Sequence, residues 1–490
     1  LLQDIKNTIK QSAIYGLSRI STKLVGLILL PVYSLNFNIA EYGVIGRIET
    51  LWQVLWAVYL FGLESGIVKW FTSIEEEDKK KRFLFTVAVF VVLINILTTF
   101  TLYFTSGVFS QLIFQTTDYS RLVFYASLIA SFEAVIFIVF LLIRIKEKAL
   151  LYTLLSVLIS LINLVLQLYY IYYTRNKLEG IFLARIFSPA VVLIFTLPLF
   201  VRNIKFGFDI DNLNTLIKYS IPIMIGSLVV TLLNQSDRYL LAYLSSGSQV
   251  GVYVLGYNVC GLINFLIISP FSLAFTVLSW KKLKDANSAR FYTKTGTYLY
   301  FAIIYCVLFL SLFTPHLIKV FTLKTEYWDA KNIVPWIAFA MPFYGLHFIS
   351  VFSFYVTGKT KYVLFGYSIA LFVNVISNLI FIPLLDIYGA ALSLNIGYLS
   401  LILFYYLFSK KEYAIKYEWF KFLKMNFLSL ILIIPFFFFQ IQPSSLEFLL
   451  KIIALGIFPL LLYFFKFYEE IEVETVKVFI IKYIINKIKR

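Results

Sequence analysis

LVFYASLIASFEAVIFIVFLL, residues Leu122 to Leu142, runs for 21 residues with a single charged side chain, Glu133. At 1.5 Å of rise per residue, an α-helix of that length covers about 30 Å, the thickness of the hydrocarbon layer of a bilayer. Its apolar residues are continuous, whereas a transmembrane barrel strand is a stretch of about ten residues that alternates between faces. Unpaired backbone groups are costly in lipid, so the run must be a helix. Similar runs recur at Phe83 to Tyr103 and Ala149 to Tyr173. The chain as a whole has 490 residues, 60% hydrophobic and 14% charged, against about 25% charged in a soluble domain. The composition predicts an all-α integral membrane protein.

Apolar runs set against charged or turn-rich breaks give about fourteen spans. The first six are expected at 12–35, 42–71, 83–106, 119–143, 149–173 and 178–201. The next six fall at 215–244, 249–278, 292–314, 331–356, 362–382 and 388–408, and the last two at 421–441 and 446–467. Successive loops alternate sides, and the basic ones should share one side. One set holds Lys79 to Arg82, Arg144 to Lys148, Arg202 and Lys205, Lys281 to Arg290, Lys359 and Lys361, and Lys410 to Lys416. On the other side the exceptions are Arg175, Lys177, Lys319 and Lys324. An even count of spans then puts both termini in the cytoplasm.

The net charge of +17 therefore points to anionic lipid headgroups as partners and not to nucleic acid. Cys260 and Cys306 lie in apolar runs, which predicts core packing and neither disulfide nor metal site. The basic, polar start leads into a span without a small-residue cleavage site, so no cleavable signal is expected. The tail 469–490 spaces Val476, Phe479, Ile480, Tyr483, Ile484 and Ile488 as an amphipathic helix on the inner leaflet would, a pattern a solvated tail also allows.

Ile9-Lys10 and Ser12 open the first span, and Ile217-Lys218 and Ser220 open the seventh, 208 residues later. Gly43-Val44 and Gly251-Val252 repeat at the same offset. This predicts two parallel, pseudo-symmetric lobes of six helices at 1–205 and 206–410, two further helices at 411–468 and the cytoplasmic tail.

Several charges fall within the spans. Arg19 and Lys23 stack on one helix face. Arg47, Glu49 and Glu64 lie in the second span, Glu133 in the fourth, Arg185 in the sixth, and Asn234, Gln235, Asp237 and Arg238 form a polar run in the seventh. Each charge costs roughly 2.5–3.5 kcal/mol at the centre of an isolated helix, so the set should face itself or water. Arg19 and Lys23 read as a path for an anionic group, or as a buried pair with Glu133 or Glu64. Arg47, Arg185 and Arg238 join them as candidate substrate contacts, with Glu49, Glu64, Glu133 and Asp237 as candidates for ion coupling or gating. Arg47 with Glu49, and Asp237 with Arg238, also fit plain ion pairs. Neither His316 nor His347 sits in an HExxH pattern, and Gly358-Lys359-Thr360 lacks both the first glycine and the strand of a phosphate loop. No enzyme chemistry is expected.

Ile14-Tyr15-Gly16 through Lys23-Leu24-Val25-Gly26, then Leu30-Pro31-Val32-Tyr33 and Glu41-Tyr42-Gly43, resemble the first helix and loop of bacterial polysaccharide transporters. These belong to the multidrug/oligosaccharidyl-lipid/polysaccharide (MOP) exporter superfamily. Ser236-Asp237-Arg238-Tyr239 with Val250-Gly251-Val252-Tyr253, and Tyr388-Gly389-Ala390-Ala391 after Pro383, extend the resemblance over nearly the whole chain. It implies two six-helix bundles around a cavity, and flipping of an undecaprenyl-pyrophosphate-linked oligosaccharide across a bacterial inner membrane by alternating access. It also implies that Arg19 and Lys23 meet the pyrophosphate, that a Na+ or H+ gradient rather than a cofactor drives the step, and that a saccharide polymerase and chain-length regulator are partners. A cation-coupled drug antiporter, a lipid II flippase and an integral membrane saccharide polymerase are the competing readings, the last opposed by the short outer loops.

Overall fold

The computed structural model describes residues 24–26, 28–146, 148–283, 285, 287–322, 324–410, 415–438, 444–470 and 473–474. Among these the regular structure is helical, and twelve helices are long and apolar enough to cross a membrane. They coincide with the expected third to fourteenth spans. Of the first expected span, 24–26 and 28–35 are described and helical, and the helix runs on to residue 36. Arg19, Lys23 and most of the expected tail helix lie outside the described residues.

The second expected span, 42–71, is not one helix but two, α1 (Ile39–Leu60) and α2 (Leu63–Ser73). Asn38 starts α1 with a reciprocal cap: the Glu41 N–H donates to Asn38 Oδ1 and the Asn38 N–H to Glu41 Oε2, both at 2.8 Å. Phe61 and Gly62 then take left-handed φ values of 53° and 65°, which ends α1 and restarts the chain as α2. A Cβ on Gly62 would stand 2.6 Å from the Ser220 carbonyl oxygen and 2.7 Å from the Met224 nitrogen. The break thus lets α1–α2 touch the backbone of a later helix, which continuous hydropathy could not announce.

Next come α3 (Glu77–Phe114), α4 (Ser120–Ile145), α5 (Ala149–Tyr173), α6 (Lys177–Val201) and α7 (Ile210–Leu244). With 38 residues, α3 is about 57 Å long at 1.5 Å per residue, longer than the roughly 30 Å of hydrocarbon it would have to cross. The eighth span is α8 (Gly247–Ile263), a π-turn at Asn264–Ile268, and α9 (Ser269–Lys282). Then follow α10 (Ser288–Phe321), α11 (Ala330–Ala338), α12 (Met341–Val356), α13 (Lys361–Leu385), α14 (Ile387–Ser409), α15 (Trp419–Phe438) and α16 (Ser444–Phe464).

The chain divides into two compact units, Leu1–Leu255 with Lys319–Asp329 and Tyr367–Gly397, and Gly256–Ile318 with Ala330–Gly366 and Tyr398–Arg490. In the first, α4 lies at the centre. Its Ala126, Ala130 and Ala134, one turn apart and fully buried, let α1 and α6 approach with Ile45, Ile48, Phe182 and Ile186. A second cluster joins Leu63 and Ile67 of α2 to Phe83 and Val87 of α3, Leu141 and Leu142 of α4, and Leu216 of α7. In the second unit, Tyr300 of α10 stacks on Phe422 of α15 at 4.4 Å and accepts a hydrogen bond from Asn426 Nδ2 at 2.6 Å. Large apolar side chains such as Leu97, Phe100 and Phe104 of α3 and Phe420 and Phe438 of α15 are exposed. In water such patches would aggregate; facing lipid they need no cover.

Candidate functional site: a polar seam inside apolar helices

Two adjoining faces of α1 carry the polar residues of the first unit. Glu49 and Trp52, three apart, share one face; Arg47, Thr50 and Gln53, also spaced by three, share the next.

On the first face, Arg185 of α6 pairs with Glu49, Nη1 to Oε1 at 3.3 Å, and its guanidinium lies 4.2 Å from the centre of the Trp52 ring. The same indole donates from Nε1 to Glu133 Oε2 of α4 at 2.8 Å. One tryptophan thus touches a cation with its π-face and a carboxylate with its N–H, an arrangement of negative, positive, aromatic and negative groups that satisfies each charge inside an apolar bundle. Nearby, Tyr33 Oη donates to Gln167 Oε1, and Gln167 Nε2 donates to Asn163 Oδ1 at 2.9 Å along α5.

On the second face, Arg238 of α7 donates from Nη1 to Thr50 Oγ1 at 3.0 Å and to Gln235 Oε1. Gln235 Nε2 donates onward to Gln53 Oε1 at 2.7 Å. Asp237 is fully buried; it accepts from Tyr253 Oη of α8 and from the Arg238 backbone N–H, the latter at 2.9 Å. Ser236 Oγ donates to Asn374 Oδ1 of α13 at 3.2 Å, and Asn378 Nδ2 donates to the same oxygen at 3.0 Å.

Arg47 and Glu64 stand apart from this seam. Arg47 Nη1 donates to the Ile113 carbonyl at 3.1 Å, and the guanidinium sits 4.4 Å over Phe114. Since Ile113 and Phe114 end α3, the cation satisfies a helix terminus whose carbonyls have no intrahelical donor. Glu64 pairs with Arg144 at 2.8 Å, both side chains being about two-fifths exposed, at 43% and 41%. The pair lines a cavity of about 520 Å³ with Trp56, Leu60, Gly62, Val68, Ile223 and Ser227.

The structure therefore brings Glu49, Glu133 and Arg185 into one array and Asp237 and Arg238 into another. The polar run of the seventh span already contained Gln235, but charge-led reasoning missed Trp52, Thr50, Gln53, Tyr253 and the Asn374/Asn378 pair. The two asparagines, four apart within an otherwise apolar span, were a readable signal. Among the described residues no group of three or more His, Cys, Asp or Glu side chains could hold a metal ion.

The family model described as polysaccharide biosynthesis protein matches residues 8–279, and one described as MatE matches residues 222–380. No curated protein sequence matches significantly. Among solved structures, the chain is similar to the lipid II flippase MurJ in an inward closed conformation, with 17% identity and a TM-score of 0.75 over 93% of this chain and 100% of that one. A MATE transporter of Vibrio cholerae is similar at 15% identity and a TM-score of 0.56, over 83% of this chain and 96% of that one. A MOP superfamily transporter from Pyrococcus furiosus is similar at 18% identity and a TM-score of 0.57, over 83% and 95%. With more than half its length matched by the family model, the chain belongs to the polysaccharide biosynthesis protein family and has the multi-pass membrane fold of MOP superfamily transporters.

Proposed function

We propose that the protein is a flippase that moves an undecaprenyl-pyrophosphate-linked oligosaccharide across a bacterial inner membrane, its termini on the cytoplasmic side. The observation that carries this reading is the polar seam of α1, α4, α6 and α7 in a chain of the polysaccharide biosynthesis family. A pyrophosphate leaving water loses hydration on the order of tens of kcal/mol, and fixed cations in a low-dielectric path offset that loss far better than exposed ones. Arg19 and Lys23 are the proposed contacts, together with Arg185 and Arg238. The prenyl chain stays in lipid while two six-helix lobes, 1–205 and 206–410, alternate access to the headgroup. Asp237 and Glu133 are the proposed sites of coupling to a Na+ or H+ gradient, and a saccharide polymerase would receive the product.

The test is translocation of lipid-linked oligosaccharide by the reconstituted protein and by Arg19→Ala and Lys23→Ala variants that insert normally. Loss of translocation in both is expected; parental rates in both would remove the pyrophosphate role. A second reading, cation-coupled drug antiport, is favoured by the MatE match over 222–380, and uptake of cationic dyes by the same vesicles decides for it. Translocation of lipid II in preference to oligosaccharide would instead place the chain's activity beside that of the MurJ flippase it resembles in fold.

A further inference from the structure

Four loop cations on the side away from the basic loops, Arg175, Lys177, Lys319 and Lys324, break the charge rule that orders the other loops. Three of them have bonded roles within the first unit, and two converge on adjoining residues. Lys177 Nζ donates to Asn36 Oδ1 at 3.1 Å. Lys324 Nζ donates to the Phe37 carbonyl at 2.9 Å, and Tyr327 Oη donates to that same carbonyl at 3.1 Å. Lys319 lies 4.9 Å over the Trp328 ring, on the short segment that presents Lys324 and Tyr327.

Residues 36 and 37 end the helix described over 28–36, the C-terminal part of the first expected span. The Phe37 N–H closes its last turn on the Tyr33 carbonyl at 2.9 Å. Carbonyls at such a terminus lack intrahelical donors; here the donors come from a segment nearly 290 residues away in sequence. The joint is packed as well as bonded. Phe37 is 1% exposed and Tyr327 is fully buried, with its ring edge-on to Tyr42 at 5.7 Å.

We propose that Lys324 and Tyr327 form a latch on the Phe37 carbonyl that holds the end of the first span shut on the side away from the basic loops, and that its release opens the transport path there. The inference rests on the transport reading above. Two donors on one carbonyl bias an equilibrium without locking it, since a net hydrogen bond contributes modestly and each group can be hydrated instead. Two of the cations that break the charge rule, Lys177 and Lys324, thereby have a role at this helix end.

Ser34, 2% exposed and one turn before Phe37, reports on the latch. In a Cys260→Ala/Cys306→Ala background, Ser34→Cys is labelled by a membrane-impermeant maleimide applied to the outer face of right-side-out vesicles. Lys324→Met/Tyr327→Phe should accelerate labelling on the order of tenfold, the effect of two modest hydrogen bonds. An unchanged rate, or labelling confined to the inner face, overturns the latch. Should the double variant not survive solubilisation, Tyr327→Phe alone, which keeps the ring beside Tyr42, decides by a rise of about threefold or none. Labelling requires no substrate, so acceleration without any translocation of lipid-linked saccharide keeps the latch and removes the proposed function.

Discussion

Gly43 and Gly251 meet backbone to backbone: a Cβ on Gly43 would stand 3.1 Å from the Gly251 nitrogen and 2.6 Å from the Gly247 carbonyl oxygen. A side chain there would press on main chain and not on a flexible tip, so α1 and α8 would have to part. Gly43→Val should therefore lower stability by about 1–3 kcal/mol, the usual cost of overpacking. Gly261, also on α8, has nothing within 4 Å of its would-be Cβ, and Gly261→Ala should be neutral or slightly stabilising. Thermal unfolding of the detergent-solubilised variants checks both; equal losses would count against close packing as the cause.

Arg47 separates stability from transport. Its bond to the Ile113 carbonyl and its seat over Phe114 tie α1 to the end of α3. Arg47→Met keeps the stem but leaves that carbonyl without its donor, a loss of about 1–3 kcal/mol. Translocation per folded molecule should stay near the parental rate. A large fall in transport at unchanged thermal stability would instead make Arg47 a substrate contact.

How far the fold could be read from the chain follows from what hydropathy measures. Continuous apolar runs located the helices from Glu77 onward, because lipid selects for length and apolarity alone. The break at Phe61–Gly62 was hidden for the same reason: the run is apolar on both sides, and the cause of the break, the backbone at Ser220 and Met224, lies on α7. The 208-residue offset pairs Gly43 with Gly251 in register, and it is the tertiary fold that brings the two into contact. Glu133 stood out as a charge in Leu122 to Leu142; its donor did not, because an indole counts as apolar until its N–H is aimed at something. Pairing of Arg185 with Glu49 needed the tertiary fold, since 136 residues separate them.

Trp52 should prove energetically coupled to Glu133. Trp52→Phe keeps an aromatic face for Arg185 but removes the 2.8 Å donor to the carboxylate, at an expected cost of about 1–3 kcal/mol. Glu133→Leu alone removes the acceptor and offers the indole no new one. In the double variant the losses should fall short of additivity by about 0.5–3 kcal/mol. A double-mutant cycle on unfolding free energies measures this, and strictly additive losses would mean the bond contributes nothing of its own.

The charge cluster that fastens the end of α16 to α10 gives the pH prediction. Glu418 accepts from Thr297 Oγ1 at 2.7 Å, Lys294 Nζ at 2.9 Å and Lys421 Nζ at 3.1 Å, while Glu469 accepts from Lys294 at 2.5 Å and Arg290 at 2.6 Å. Partial burial alone would raise the Glu418 carboxyl, but the bonds from Thr297, Lys294 and Lys421 outweigh it and hold it below the usual carboxylate range. The bonds from Lys294 and Arg290 hold Glu469 below that range too. A carboxyl lowered on folding stabilises the fold above its unfolded value of about 4.3 and loses that contribution as pH falls through the folded one. Backbone protection at 464–470, corrected for intrinsic exchange, should thus be level from neutral pH down to about 5 and fall below about 4. Glu418→Gln/Glu469→Gln cannot ionise, so its protection should already be low at neutral pH and show no further acid step. An acid step of parental size in that variant would assign the titration to other groups, leaving Phe467, buried against Phe301 and Tyr298, to hold the segment alone.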